Sequence, residues 1–215
     1  MKLAIFDEYR LGLVAGKEMV DVTEVLPYYD PGYAANFWLR MCRDFEALRP
    51  RIEKASREGL RKPLDRVRLR APVLNPSKII AAASNYREHV AEMASRTGAH
   101  TWLLDFDVFL KAPSSIIGPG DTLALPDLPG REIHHESELA LVIGKGGKSI
   151  PESEALSCVL GYTILIDVTL RGEGDRSHRK SYDGFTPMGP WLVSADEVDD
   201  PQALDIQLWV NGTLK

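Results

Sequence analysis

Several things are scarce in this sequence. Its 215 residues include only 2 cysteines, Cys42 and Cys158. Two thiols so far apart in the chain exclude the disulfide framework that staples small secreted domains. The expectation is a reducing, cytoplasmic compartment with two buried thiols. No stretch approaches the roughly 20 apolar residues of a membrane helix, and the opening "MKLAIFDEYR" turns charged too early for a signal peptide. Excess positive charge is missing as well. The net charge is −5, which argues against generic nucleic-acid binding. Internal repeats and low-complexity tracts are absent. What remains is an ordinary globular composition, 44% hydrophobic and 27% charged, long enough for one large domain or a domain with a small appendage.

The first seventy residues read as short strands followed by helix. "KLAIF" and "LGLVAGKEMVDVTEVLP" are apolar runs broken by turn residues. Over 37–48, Trp38, Met41, Cys42, Phe45 and Leu48 recur at steps of three and four, which makes one face of a helix and predicts core packing. Pro50 is expected to end that helix and open a second, "RIEKASREGL". Residues 49–70 are locally basic. Acids are interleaved and no aromatics are spaced for base stacking, so the segment reads as a solvated face rather than an RNA surface. Prolines then mark a boundary near residue 70. The expected division is a small N-terminal β/helical domain over 1–70 and a core over 71–215.

Beyond that boundary the chain reads as mostly β. Strands are expected in "KIIAAAS", "DVFLKA", "LALVIGK", "TILIDVTL", "PWLVS" and "LDIQLWV". "GPGD" at 118–121 reads as a turn, and "SEALSCVLGY" as a short helix capped by Ser153. "GDRSHRK" is a loop or a lid. Asn211-Gly212 is a two-residue hairpin signal. Only three residues follow it, so the strand expected over 204–210 would find its partner beyond Lys215, and the core is expected to be incomplete at its C-terminus.

Three groups of residues could do chemistry. Glu136 and Glu138 stand two apart at the head of an apolar run, so alternation puts them on one face of a strand. Like charges side by side need a cation or water between them. Asp167, alone among apolar neighbours, is the natural third oxygen ligand for a hard divalent ion such as magnesium. Solvent-facing glutamates on an edge strand are the alternative. In "SNYREHVAE", His89 and Glu92 lie three apart. On a helix they would touch, and a carboxylate that orients an imidazole makes a general base. An exposed pair without function is the alternative there. Arg171 and Lys180 could stabilise an anionic substrate or oxyanion, or be exposed cations. His134 and His135 read as surface histidines, because neighbouring strand residues face opposite ways.

Taken in order, "NPSKIIAAASNYREHVAE", "VFLKAPSSIIGPGDTLALP", "HESELALVIGKGGKSI", "ALSCVLGYTILIDVTLR", "RKSYDGFTPMGPWLVSADEV" and "LDIQLWVNG" resemble the fumarylacetoacetate hydrolase family from residue 75 onward. The resemblance implies a β-rich α+β fold of rolled and packed mixed sheets with a small N-terminal domain, assembled as a homodimer. It implies Mg²⁺ or Mn²⁺ held by Glu136, Glu138 and Asp167. His89 and Glu92 fall on the family's His–Glu pair, Lys180 on the lysine of its "KSFD"-like segment, and Arg171 on an arginine that contacts substrate. The implied activity is hydrolytic cleavage of a C–C bond in an acylpyruvate or related β-diketo acid. Isomerisation or decarboxylation of a 2-hydroxydienoate or 2-oxo acid in aromatic-compound catabolism is the alternative, and a non-catalytic binding protein on the same scaffold a more distant one. The implied partner is thus a small 2-oxo or β-diketo acid, with neither nucleic acid nor membrane involved. The chain departs from the pattern in four ways: "AAASNY" stands where a "GLNY"-like stretch is common, the family's C-terminal segment with a "TGTP"-like turn is absent, and two further changes touch the site. "RGEG" follows Asp167-Val-Thr-Leu where "R-D-x-Q" is common, so Gly174 replaces a substrate-touching glutamine. Asp107 stands where proline is usual.

Overall fold

The structure is a computed structural model that describes residues 1–83, 85–87, 91, 95 and 107–215. The first apolar runs form an antiparallel meander of β1 (Lys2–Phe6), β2 (Arg10–Ala15) and β3 (Glu18–Asp21). Across its face lies α1 (Ala34–Glu58). The predicted stripe is the reason. Phe37, Trp38, Met41, Phe45, Leu48 and Ile52 are buried on one side of α1 and share a core with Leu3, Ile5, Leu11 and Val20 of the meander. Each such side chain contributes on the order of 1.5–3 kcal/mol by leaving water.

The expected break at Pro50 does not occur, and α1 runs through it as one helix of 25 residues. Proline removes one backbone donor and usually kinks a helix. Here its ring is exposed, while Leu48 and Ile52 on either side are buried. Continuous burial of the apolar face outweighs the local cost. The helix ends at Gly59, where an added Cβ would lie 2.6 Å from the Asp21 carbonyl oxygen.

The chain then adds β4 (Arg61–Pro63) beside β3 and returns along β1 through a bridge from Phe6 to Leu69. β5 (Ile79–Ala82) and β6 (Val108–Lys111) pair antiparallel as a separate ribbon. There follow β7 (Ile116–Ile117), β8 (Ile133–His134), β9 (Ser137–Ile143), the short helix α2 (Glu152–Ala155), β10 (Val159–Ile166) and β11 (Thr169–Leu170). A second short helix, α3 (Arg176–Arg179), leads to β12 (Thr186–Ser194). The terminal hairpin is β13 (Trp209–Val210) with β14 (Thr213–Leu214).

The main sheet has the order β4-β3-β2-β1-β12-β10-β9, with β7 parallel to β12 at its side. β1 joins β12 through Lys2 opposite Val193 and Leu3 opposite Leu192. The strands of residues 1–70 and those of the core therefore form one continuous sheet. The sheet-rich α+β class expected of the sequence is the class observed.

Local expectations fared unevenly. The hairpin turn is present, with Asn211 and Gly212 both at positive φ, +51° and +77°, as a type I′ turn requires. The strand expected over 204–210 is only Trp209–Val210. Ser153 is not a cap: α2 begins at Glu152, and "VLGY" belongs to β10. "RSHR" in the expected loop is α3, capped by Asp175, whose carboxylate accepts from the His178 backbone N–H at 2.9 Å. Cys158 is buried as expected, whereas Cys42 is half-buried, and neither is in a disulfide. Burial pushes the Cys42 thiol up to about 12. Among the described residues, no helix is long and apolar enough to cross a membrane.

Candidate active site

Two interrupted strands create the site. β8 and β9 run as one line broken at His135-Glu136, and β10 and β11 as another broken at Asp167-Val168. β9 pairs with β10 and β8 with β11, so the two breaks face each other. The Asp167 backbone N–H donates to the Glu136 carbonyl at 2.7 Å across the gap. Asp167 was expected within one continuous strand. It stands at the break instead, which frees its side chain from the strand's alternation.

Glu136, Glu138 and Asp167 all line one cavity of about 450 Å³. Lys180 reaches the same place from the segment after α3. Its ammonium donates to Glu136 Oε2 at 2.8 Å, Asp167 Oδ2 at 2.6 Å and Thr169 Oγ1 at 2.6 Å. Its three donors are thereby filled. Arg171 sits at the rim, with Nη1 3.4 Å from Glu136 Oε1. It precedes Gly172, whose φ of +118° L side chains rarely adopt.

A second lysine was missed from the sequence. Lys111 ends β6 with its side chain fully out of water. Its ammonium donates to Asp167 Oδ1 at 2.6 Å and to the carbonyls of Lys180 and Phe185 at 2.6 and 3.0 Å. Burial pulls its pKa below the ordinary lysine value, against the pull of Asp167. The signal was in "VFLK". β6 alternates exposed and buried, with Phe109 and Lys111 inward, so a lysine on the apolar side called for a buried anion. Tyr86, Arg176 and Arg179, which also line the cavity, were not singled out either. Their positions depend on segments that only the fold brings together.

Lys111, Lys180 and, at the rim, Arg171 thus face three carboxylates, and their ion pairs go to Glu136 and Asp167. The least compensated acid is Glu138, which burial pushes up to about 7. The neighbouring Asp167 and Glu136 charges push the same way, and a Tyr86 hydrogen bond opposes them. Three carboxylates converging on one cavity suit a hard divalent cation. As the side chains stand, no three His, Cys, Asp or Glu groups among the described residues are close enough together to grip an ion. Lys180 occupies the oxygens of Glu136 and Asp167. The donor chemistry fits a divalent ion, with Lys180 as its internal substitute. His89 and Glu92 lie outside the described residues. His134 is exposed, as expected, and so is His135.

The comparisons with known proteins agree with this architecture. The family model described as "Fumarylacetoacetate (FAA) hydrolase C-terminal" matches residues 78–215. The maleylpyruvate hydrolase of Aquipseudomonas alcaligenes is 42% identical over all of this chain and 77% of its own length. A crystal structure of maleylpyruvate hydrolase from Sphingobium sp. SYK-6 superposes with a TM-score of 0.86 at 44% identity, covering 100% of this chain and 75% of that one. The same Sphingobium enzyme in complex with manganese(II) and pyruvate superposes at 0.84 with 43% identity and the same coverage. Other curated relatives are matched over shorter parts, such as 62% and 57% of their lengths. With its C-terminal two thirds matched by the family model and its whole length by a 42%-identical hydrolase, this chain is an enzyme of the fumarylacetoacetate hydrolase family.

Proposed function

We propose that the chain is a divalent-metal-dependent hydrolase that cleaves the C–C bond of an acylpyruvate. The observation that carries this reading is the convergence of Glu136, Glu138, Asp167 and Lys180 on one cavity, in a chain 42% identical to a maleylpyruvate hydrolase. Glu136, Glu138 and Asp167 would hold Mg²⁺ or Mn²⁺. A divalent ion bound there supplies Lewis-acid polarisation of the oxo-acid oxygens.

The remaining steps fall to the chain's own side chains. Arg171 and Lys180 place cations beside the substrate's carboxylate and oxo group. His89, oriented by Glu92, takes a proton from water as its hydroxyl adds to the acyl carbon. The bond from that carbon to C3 of the pyruvate unit then breaks. Its electron pair passes to the pyruvate fragment, which takes a proton at C3. The products are pyruvate and a carboxylic acid. Lys180 is placed to offset negative charge as it builds on oxygen.

We also read the molecule as a homodimer. β9 lies at the end of the main sheet as described, and Leu141, Ile143 and Ile164 are about half exposed on β9 and β10. A second copy is a fitting cover for such an edge, and light scattering would test it.

The decisive assay presents maleylpyruvate, fumarylpyruvate and acetylpyruvate with Mg²⁺ or Mn²⁺ and measures pyruvate released. Metal-dependent release supports the hydrolase. Isomerised or decarboxylated product without hydrolysis would replace it with the isomerase or decarboxylase reading. Binding without turnover would leave a binding protein on this scaffold.

A further inference from the structure

The cavity has two charged ends joined by one strand. Asp107, Phe109 and Lys111 alternate onto the same side of β6 and the residue before it. At one end, Lys111 holds Asp167. At the other, Asp107 pairs with Arg176 of α3 through its Oδ2 and the arginine's Nη1. Roughly 13 Å of strand separates the two ends before their side chains lean in. Between them, Phe109 provides an apolar floor, with the Lys180 ammonium 5.0 Å from its ring centroid. α3 is tied to this strand a second time, since the Leu110 backbone N–H donates to Ser177 Oγ at 3.2 Å.

Three arginines line the cavity, and they are not equivalent. Arg179 is committed to the fold, donating to the carbonyls of Leu170 at 2.9 Å and Gly174 at 3.1 Å. Arg171 belongs to the metal-ligand end through Glu136. Arg176 has Asp107 as its only partner among the described residues, and its side chain is 44% exposed. A guanidinium has five donors in a planar fork. One contact to Asp107 leaves the others for an incoming anion.

We infer that Arg176 reads a second carboxylate at the far end of the substrate, so that the pocket selects dianionic 2-oxo acids over their monoanionic analogues. This rests on the reading of the cavity as an oxo-acid site. Head group, short carbon chain and distal carboxylate would then meet the acids and Lys180, Phe109 and Arg176 in turn. A carboxylate shared with Asp107 on one guanidinium is a charge-assisted contact of the strong kind.

The test is calorimetric and needs no turnover. The Mn²⁺-loaded protein is titrated with 2-oxoheptanedioate and with 2-oxoheptanoate, which differ only in the distal carboxylate. The dianion should bind about tenfold or more tightly. Arg176→Met should bring the two affinities within about twofold, while affinity for 2-oxoheptanoate and for Mn²⁺ alone stays at the wild-type value. Arg176→Gln, which keeps a hydrogen bond for Asp107, should do the same and covers the case in which methionine unsettles α3. Equal wild-type affinities would overturn the inference. So would variants that weaken both ligands alike, since that is the signature of a purely structural α3 contact. Pyruvate release from maleylpyruvate is scored separately. Binding preference without release removes the hydrolase reading and leaves this inference, and release without preference does the reverse.

Discussion

Between the β1–β3 meander and α1, the buried side chains are almost all apolar: Leu3, Ile5, Phe37, Trp38, Phe45 and Ile52. Where β6, β10 and the segment after α3 meet, the interior holds Lys111, Asp167 and Lys180 instead, each less than a tenth exposed. The first region gains from every group it removes from water. The second loses on desolvation and recovers through hydrogen bonds of 2.6 to 3.0 Å that leave Lys111 and Lys180 fully partnered. Buried charge of this kind is poor material for stability and good material for binding an oxo acid. The two regions should therefore respond oppositely to substitution, one in folding and the other in chemistry.

The largest effect is expected at the charged end. Glu138→Ala should lower divalent-ion affinity more than about 100-fold, beyond the usual cost of losing a supporting residue around a metal. Calorimetry with Mn²⁺ measures it, and unchanged affinity would remove Glu138 from the ligand set. His89→Ala should lower kcat by about 10²–10⁴ while Mn²⁺ still binds; wild-type turnover in that variant would end the proposed general base. The apolar region offers the contrast. Trp38→Ala should cost about 3–5 kcal/mol of stability by urea unfolding and leave Mn²⁺ affinity intact. A shifted metal affinity would show that the two regions are coupled. Lys111→Met should cost roughly 3 kcal/mol, the low end for breaking a buried ion pair, because Lys180 still faces Asp167.

The smallest effect concerns pH. Burial raises the Asp21 carboxyl, but hydrogen bonds from Arg10 at 2.5 Å and from Thr23 outweigh it and hold its pKa below the ordinary value. A depressed folded-state pKa stabilises above the ordinary aspartate range and loses that contribution as pH falls through the folded value. Asp21→Asn should accordingly cost about 1–3 kcal/mol at neutral pH. The gap to wild type should close as acid protonates Asp21. A gap independent of pH would mean that packing, not charge, makes the difference.

Legibility in the sequence followed the same division. Helical spacing exposed the α1 stripe, because burial of an apolar face is a local pattern. The Asn211-Gly212 turn was legible because two positive φ angles demand those residues. Pro50 misled because local propensity was outweighed by packing against β1 and β2. Glu136, Glu138 and Asp167 stood out as acids beside apolar runs, and they do share a cavity. Lys111 did not stand out, although it is the most buried charge described, since its partners come from Asp167, Lys180 and Phe185 far along the chain. A site residue was readable when its anomaly was local and hidden when its reason lay across the fold.

The pairing of β1 with β12 bears on how the protein is made. Leu3 and Leu192 are neighbours in the sheet yet lie almost a whole chain apart. The meander and α1 pack on one another through residues of the first sixty, but the core they share also takes in Leu160, Leu165, Met188 and Leu192. β1 must then wait with one edge unpaired until β12 has been synthesised. Contacts of such long range slow folding and leave the intermediate open to wrong partners. The step that closes the sheet also brings up β12 beside β10, whose far end carries Asp167. A chain in which that step fails therefore lacks both the complete apolar core and the placement of Asp167 at the cavity.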